Sequence, residues 1–531
     1  ELSTAYVNTK TNNLFGKDVS VKLDNKTLNK KNEPRLKGNS LKNNESSTEI
    51  IKGVFTTCKK RDGCPPWELS ANKILHDKKE KKIKYDNATL RIYDYPIVYF
   101  PKFFHPDPTV NRQSGFLTPT IKNTTNKKNF LSLPYYMVIS DHKDITFSPR
   151  FYNDEQLLLQ TEYRSVGYKS DHISDFSFKI DDYKKIKSHF FYKYDKSFNL
   201  DNFINNSVTL NIQHTTKDTF LKKNKIKSKL GVNDDILENS AKINFSKDDM
   251  FINFETTAYE NLNKKESDRY EYIFPKVDLI KNIDNKTKLN GDFVFYSQIL
   301  NKNYNTNIME SININDLRFN SFPKVTKRGI YNNYEFIIKN SNTNAKNSKS
   351  FKNKESSYVS GLVQFNSSLP LSKSNKNYTK LLNPKLALKI APNYTKDYRN
   401  KDNKIDINNI YSLERNAEID TIEGGLSIAY GSEYSVINKK NSLDVFNFKI
   451  ANNLRLNENN DLPRNSQIDE KISSILNEVA FQPNELIKIN YKSSIKNNID
   501  DINYENFITE LKINNLVTSF DYYNQNESYN K

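Results

Sequence analysis

Cys58 and Cys64 stand in the run Cys-Lys-Lys-Arg-Asp-Gly-Cys-Pro-Pro-Trp. Such a pair offers a short disulfide loop, two reactive thiols or half of a metal site. The spacing is a poor zinc pattern. A local bridge in an oxidising compartment is expected, stabilising the fold by roughly 2 kcal/mol through a constrained unfolded chain. The alternative joins one of them to a cysteine beyond this sequence. The six histidines (76, 105, 142, 172, 189 and 214) show no metal-gathering spacing. His76 and His105 are read as surface or turn residues. No Gly-x-Ser-x-Gly elbow is present. Gly424-Gly425 reads as a strand kink or a close backbone approach rather than a phosphate cradle. No enzyme, metal or cofactor is expected.

The elements around these residues follow from composition and periodicity. Lys and Arg total 81 against 63 Asp and Glu, a net charge of +18. The lysines are spread along the chain among acids, so charge alone does not mark a nucleic-acid binder. Thirteen glycines in 531 residues argue against Rossmann and P-loop enzymes. No 18-residue apolar run exists for a membrane helix, and 32 Tyr with 32 Phe exceed what a disordered chain carries. From residue 115 apolar residues recur with period two, at Phe176/Phe178/Ile180, Val208/Leu210/Ile212, Leu386/Leu388/Ile390 and Phe446/Phe448/Ile450. Ser341 to Glu355 reads as a polar connection. The fold is all-β. Strands near ten residues, aromatic on one face and Lys, Asn, Asp, Gln or Thr on the other, favour a transmembrane barrel over a soluble sandwich.

Residues 1–108 differ, with shorter strands and Pro96, Pro101, Pro106 and Pro108 near their end. Tyr95 to Pro101 is expected to be the last strand of a small β domain, since proline removes a ladder donor. Pro106 to Gly115 would be the hinge, with Arg112 and Gly115 its marked residues. The chain opens at Glu1 and closes in mid strand rhythm, which reads as a piece of a longer protein.

Several motifs, in order, resemble one family. They are Cys58…Cys64-Pro-Pro-Trp67, Pro96-Ile-Val-Tyr-Phe-Pro101, Arg112-Gln-Ser-Gly-Phe-Leu-Thr-Pro119, Leu133-Pro134-Tyr-Tyr, Ser148-Pro149-Arg150, Ile410-Tyr-Ser-Leu-Glu-Arg415 and Ile422-Glu-Gly-Gly. The succession resembles the lipopolysaccharide-assembly LptD (OstA/Imp) family along essentially the whole chain. The resemblance implies part of an N-terminal periplasmic β-jellyroll, residues 1–108, followed by a large antiparallel outer-membrane barrel, residues 109–531, lacking its last strands. It implies lipopolysaccharide transport, no nucleic-acid partner, contact with outer-membrane lipid, and as partners the plug lipoprotein LptE and the periplasmic bridge protein LptA. The family's bridge from the jellyroll to cysteines near the barrel C-terminus is not carried over to Cys58 and Cys64.

A lipid conduit needs a continuous apolar groove, because each exposed CH₂ costs about 0.8 kcal/mol. Alternation nominates Ile83, Tyr85, Leu90 and Ile92 to line it, and an ordinary sheet core would demand the same side chains. The resemblance implies lateral release through a gate between the first and last barrel strands, which needs a weak seam in a wall that otherwise has no edge. Pro119 in an expected strand 115–124 and Pro134 in an expected strand 130–140 resemble the family's gate prolines; edge or bulge prolines are the plainer reading. The competing function is a porin-like solute channel.

Overall fold

The computed structural model describes all residues except 1, 23–34, 57, 59–65, 108, 109, 111, 124–128, 155, 181–184, 232, 398, 400–404, 416, 417, 465, 466, 514, 515 and 526–531. It comprises two compact units, Glu1–Ser165 and Val166–Lys531.

The first unit begins with a seven-stranded antiparallel sheet whose spatial order is its chain order. Its strands are β1 (Thr4–Asn8), β2 (Asn13–Lys22), β3 (Arg35–Asn43), β4 (Ser47–Thr56), β5 (Trp67–Asp77), β6 (Lys82–Ile92) and β7 (Tyr95–Pro106). Several strands skip a rung at one level. Lys17 and Val19 pair with Ser40 and Gly38, Ile51 and Gly53 with Lys73 and Ala71, and these two again with Asp86 and Ala88. The skipped residues Asp18, Lys52 and Asn87 all have left-handed backbones. Each reverses the face on which later side chains point, so burial moves from Ile50 to Gly53 and from Tyr85 to Ala88. A Cβ on Gly53 would stand 2.4 Å from Ile74 Cδ1, and one on Gly38 2.1 Å from Ile50 Cγ2, so only glycine fits beside this line. The sheet creases there over one apolar cluster containing Val19, Leu36, Ile50, Ile74, Ile83 and Tyr85. Fully burying such a side chain contributes about 1.5–3 kcal/mol. β7 pairs only with β6, the edge position its prolines predict.

After the sheet come β8 (Gly115–Phe116), β9 (Thr120–Asn123), β10 (Asn129–Ser132), β11 (Tyr135–Ser140), β12 (Lys143–Tyr152) and β13 (Leu157–Gly167), all antiparallel barrel strands.

The second unit is a barrel wall of successive antiparallel strands from Ser170–Ile180 to Leu516–Gln525. The two-residue turns 201–202 and 248–249 lie at one end, and the long connections 216–235, 392–424 and 456–474 at the other. That asymmetry is the habit of outer-membrane barrels. The burial pattern is inverted relative to a soluble sheet. In the strand Tyr331–Lys346, Ile338 is 48% exposed while the adjacent Lys339 is 1% exposed. Phe176 and Phe178 are likewise exposed and Asp175 and Ser177 buried. One expectation is corrected here. Ser341–Lys346 is not connection but the end of that strand, paired with residues 309–314. Its side chains are polar except Ala345, and its ladder is complete, so composition hid the strand.

Candidate functional site

Ile83 and Tyr85 lie within the buried cluster of the creased sheet, and Leu90, Phe100 and Phe103 are half-buried against it. The Phe100 and Phe103 rings are 5.2 Å apart, and Tyr85 is 5.9 Å from Phe103. Ile92 does not join them. It is 42% exposed, beyond a register slip between Leu90 and Arg91 that ends the alternation. The polar end of the cluster is closed by His105, whose Nδ1 lies 2.7 Å from the Pro106 carbonyl and whose Nε2 lies 2.7 Å from the Tyr85 hydroxyl. The carbonyl can only accept, so Nδ1 carries the proton and Tyr85 donates to Nε2. Burial holds the His105 pKa below its ordinary value and pushes the Tyr85 phenol up. His76 pairs with Asp107. Both histidines are therefore strand residues of the interior end rather than surface or turn residues.

Among the described residues Cys58 is a free, half-buried thiol, its Sγ 4.0 Å from the Trp67 carbonyl. Cys64, the other half of the expected local disulfide, lies outside the described residues.

The prolines sit in breaks. The expected strands 115–124 and 130–140 are each split at their proline, Pro119 between β8 and β9 and Pro134 between β10 and β11. The breaks face each other. Phe116 pairs with Tyr135 and Thr120 with Ser132, leaving 117–119 opposite 133–134. An extra residue on one side is a bulge, and neither proline has an N–H to offer across it. The Leu117 amide donates to the Pro134 carbonyl at 2.8 Å, and the Leu133 amide to the Pro149 carbonyl of β12 at 3.2 Å. Pro149 thus extends the row by one strand.

At the base of the same strands Arg112 is clamped. Its Nε donates to the Tyr136 hydroxyl at 2.9 Å, one terminal nitrogen donates to the Asp141 carbonyl at 2.6 Å, and the other pairs with Asp144. The buried Asp144 also accepts from Arg164 Nε at 2.7 Å. Gly115 opens β8 opposite Tyr136 with open space beside its Cα.

In the second unit the connections 392–424 and 456–474 fold onto the polar face of the wall. Ile405, Ile407, Ile410, Leu462 and Ile468 pack over Ala387, Ala429 and Ala451, small wall residues that leave room for them. Wall side chains hold the backbone: Gln364 Nε2 donates to the Tyr411 carbonyl at 2.7 Å, Lys389 Nζ to Leu413 at 3.0 Å and Lys339 Nζ to Ile419 at 3.0 Å. Glu423 is buried between Arg415 and Arg455, with Arg415 Nε 2.7 Å away. Burial would raise its pKa; Arg415, Lys389 and Arg455 outweigh that and hold it well below the usual carboxylate range. Gly424 is a close backbone approach, as expected, since a Cβ there would meet the Tyr394 carbonyl at 2.6 Å.

The family profile of LptD, described as LPS transport system D, matches residues 187–531. The chain belongs to the LptD family. The LPS-assembly protein LptD of Pseudomonas putida (strain W619) is 32% identical over 139 residues, 26% of this chain and 15% of that protein. That of Pseudomonas syringae pv. syringae (strain B728a) is 33% identical over the same length, again 26% and 15%. The matched stretch therefore spans well under a quarter of these relatives.

Within this LptD-family chain, sequence reasoning nominated Pro119, Pro134, Ile83, Tyr85 and Leu90, which the first unit gathers in its breaks and its apolar cluster. It missed Asp144, Tyr136 and Arg164, because in so polar a chain a carboxylate carries no signal until its partners are in place.

Proposed function

We propose that this chain forms part of an outer-membrane lipopolysaccharide translocon, with its creased sheet in the periplasm as an apolar trough. The acyl chains are received along Leu90, Phe100 and Phe103, beside the inner cluster of Ile83 and Tyr85. Sugars pass on the polar side of the wall, and the lipid leaves sideways into the membrane where Pro119 and Pro134 weaken the first strands. Arg112 and Gly115 form the joint between trough and gate. Arg112 anchors it to β11 and β12, and Gly115 supplies freedom.

The observation that supports this reading is that one compact unit holds a buried apolar cluster edged by half-buried aromatics and a proline-broken pair of barrel strands, the second of which is bonded to Arg112. Membership of the LptD family supports it. The family's plug lipoprotein LptE and bridge protein LptA are the corresponding partners, and the site of action is the outer membrane. A photocrosslinker placed at Leu90 in the full-length protein should capture lipopolysaccharide in cells, and one at the exposed Ile92 should capture less. Equal, background-level capture at both would discard the trough. A porin-like channel is the weaker reading, because it calls for neither the creased sheet nor the proline-broken strands.

A further inference from the structure

Three neighbouring connections, 322–330, 369–377 and 439–443, lie at the same end of the wall as the turns 201–202 and 248–249. They carry Lys324, Lys327, Arg328, Lys373, Lys376, Lys439 and Lys440 and no acid, although Asp444 follows the third. All seven cations are exposed. No ion pair joins any of them to another described residue, and Glu433, deeper in the wall, is taken by Lys385 at 2.9 Å. Apolar side chains stand among them in water: Phe322 and Val325 are each 50% exposed and Leu371 47%. The tips are held in shape. The Gly329 amide donates to the Thr326 carbonyl at 2.9 Å, and the Asn377 and Tyr378 amides donate to Asn375 Oδ1 at 3.0 and 2.7 Å. The Lys439 amide donates to the Asn377 carbonyl at 2.9 Å, which joins the third connection to the second. A basic composition overall does not account for this sector. At the opposite end 456–474 mixes Glu458, Asp461, Asp469 and Glu470 with Arg464 and Lys471, and at the same end 284–290 mixes Asp284 with Lys286 and Lys288.

We propose that this sector is an anchor for the headgroups of anionic phospholipids in the membrane leaflet at that end. The inference rests on the outer-membrane reading above and adds a lipid contact to it. Cations interleaved with exposed apolar side chains are the chemistry of a membrane interface. Phe322, Val325 and Leu371 reach the acyl boundary, while the lysine stems let their ammonium groups rise to the phosphates. Clustered basic residues at such a surface favour anionic over zwitterionic lipid. A soluble anion would meet the charges equally well and leave the three apolar side chains in water.

The test places the full chain in vesicles of phosphatidylethanolamine and phosphatidylglycerol and follows spin-labelled lipids immobilised at the protein. Labelled phosphatidylglycerol should be preferred over labelled phosphatidylcholine by at least about threefold, and the preference should shrink as salt is raised. It should fall to near parity in K324Q/K327Q/R328Q/K373Q/K376Q/K439Q/K440Q and persist in the set with Arg at the six lysines. Should the Gln set not assemble, K373Q/K376Q gives a smaller loss in the same direction. Excess soluble glycerophosphate should leave the preference in place. An unchanged preference in the Gln variants, its abolition by glycerophosphate, or an equal loss in K286Q/K288Q outside the sector would overturn the proposal. Failure of the Leu90 crosslink would strike the trough and leave this result standing. Failure of the unaltered chain to immobilise lipid of either kind would strike the membrane reading itself, and the anchor with it.

Discussion

The Leu117 amide donates to the Pro134 carbonyl at 2.8 Å, and Pro134 has no amide with which to answer. The first two barrel strands are thus joined at their break by half of a normal exchange. Replacing Pro119 and Pro134 with Ala would let both positions donate, each bond contributing about 0.5–1.5 kcal/mol. Opening would then be rarer by about tenfold or more. Delivery of newly made lipopolysaccharide to the surface, followed by pulse-labelling, should slow accordingly. Normal delivery by a normally assembled P119A/P134A barrel would end the gate assignment.

Asp144 should be the keystone of the joint. Asp144→Ala strips the carboxylate from both Arg112 and Arg164, and a hydrogen bond to a charged group contributes about 1.5–3 kcal/mol. Both arginines are about a third exposed, so the loss should fall toward the lower figure. Amide exchange in β11 and β12 should accelerate while β2–β5 stay protected. Arg112→Lys should behave like a loss, since one ammonium cannot reach Tyr136, Asp141 and Asp144 together.

Glu423→Gln should release the segment it anchors. Removing the charge leaves Arg415 and Arg455 buried without their carboxylate, a cost of about 3–5 kcal/mol for a broken buried pair. Because the folded pKa of Glu423 is depressed, its contribution is complete above the unfolded value of about 4.3. It is lost as pH falls through the depressed value. Protease cleavage within 405–424 should rise in the variant at neutral pH, and in the unaltered protein only in strong acid. Cleavage that does not differ between them would show that the segment is held by its apolar contacts alone.

Ile338 and Lys339 test the orientation of the wall. Ile338→Arg should destabilise the barrel in bilayers by about 2–4 kcal/mol if Ile338 lies near the bilayer midplane. Urea titration of the refolded protein in vesicles measures this. No change in midpoint would mean that the exposed apolar band faces water.

Protonation of His105 should loosen the polar end of the creased sheet. Its folded pKa lies below the ordinary value through burial, so the unfolded chain takes up the proton first. Stability from this group is full above about pH 6.5 and declines as pH falls below it. The protection of β6 and β7 amides, taken relative to intrinsic exchange at each pH, should therefore fall between pH 7.5 and 5, less so in His105→Gln. An identical pH response in the variant would place the sensitive group elsewhere.

The wall was readable because its period-two pattern is enforced by two solvents; Phe176, Ser177 and Phe178 announce their faces. Ser341–Lys346 was not, since a strand that is polar on both faces has the composition of a loop. Ile92 was misplaced because a register slip is invisible to alternation counting. The docking of 392–424 was hidden for a different reason. Lys339, Lys389 and Gln364 grip main-chain carbonyls, which every sequence possesses, so the recognising residues imply no particular partner. The prolines were legible as ladder defects, but that 117–119 and 133–134 would face each other depends on the register.

The line through Asp18, Lys52 and Asn87 has a bearing on how this sheet tolerates change. Because each of these residues resets which face is inward, the strand segments on its two sides keep separate count. A single-residue deletion on one side would turn half a strand inside out and leave the other half correctly oriented, so damage stops at the fold line. Relatives would then be free to vary the length of one flank, provided the left-handed residue stays to restart the rhythm.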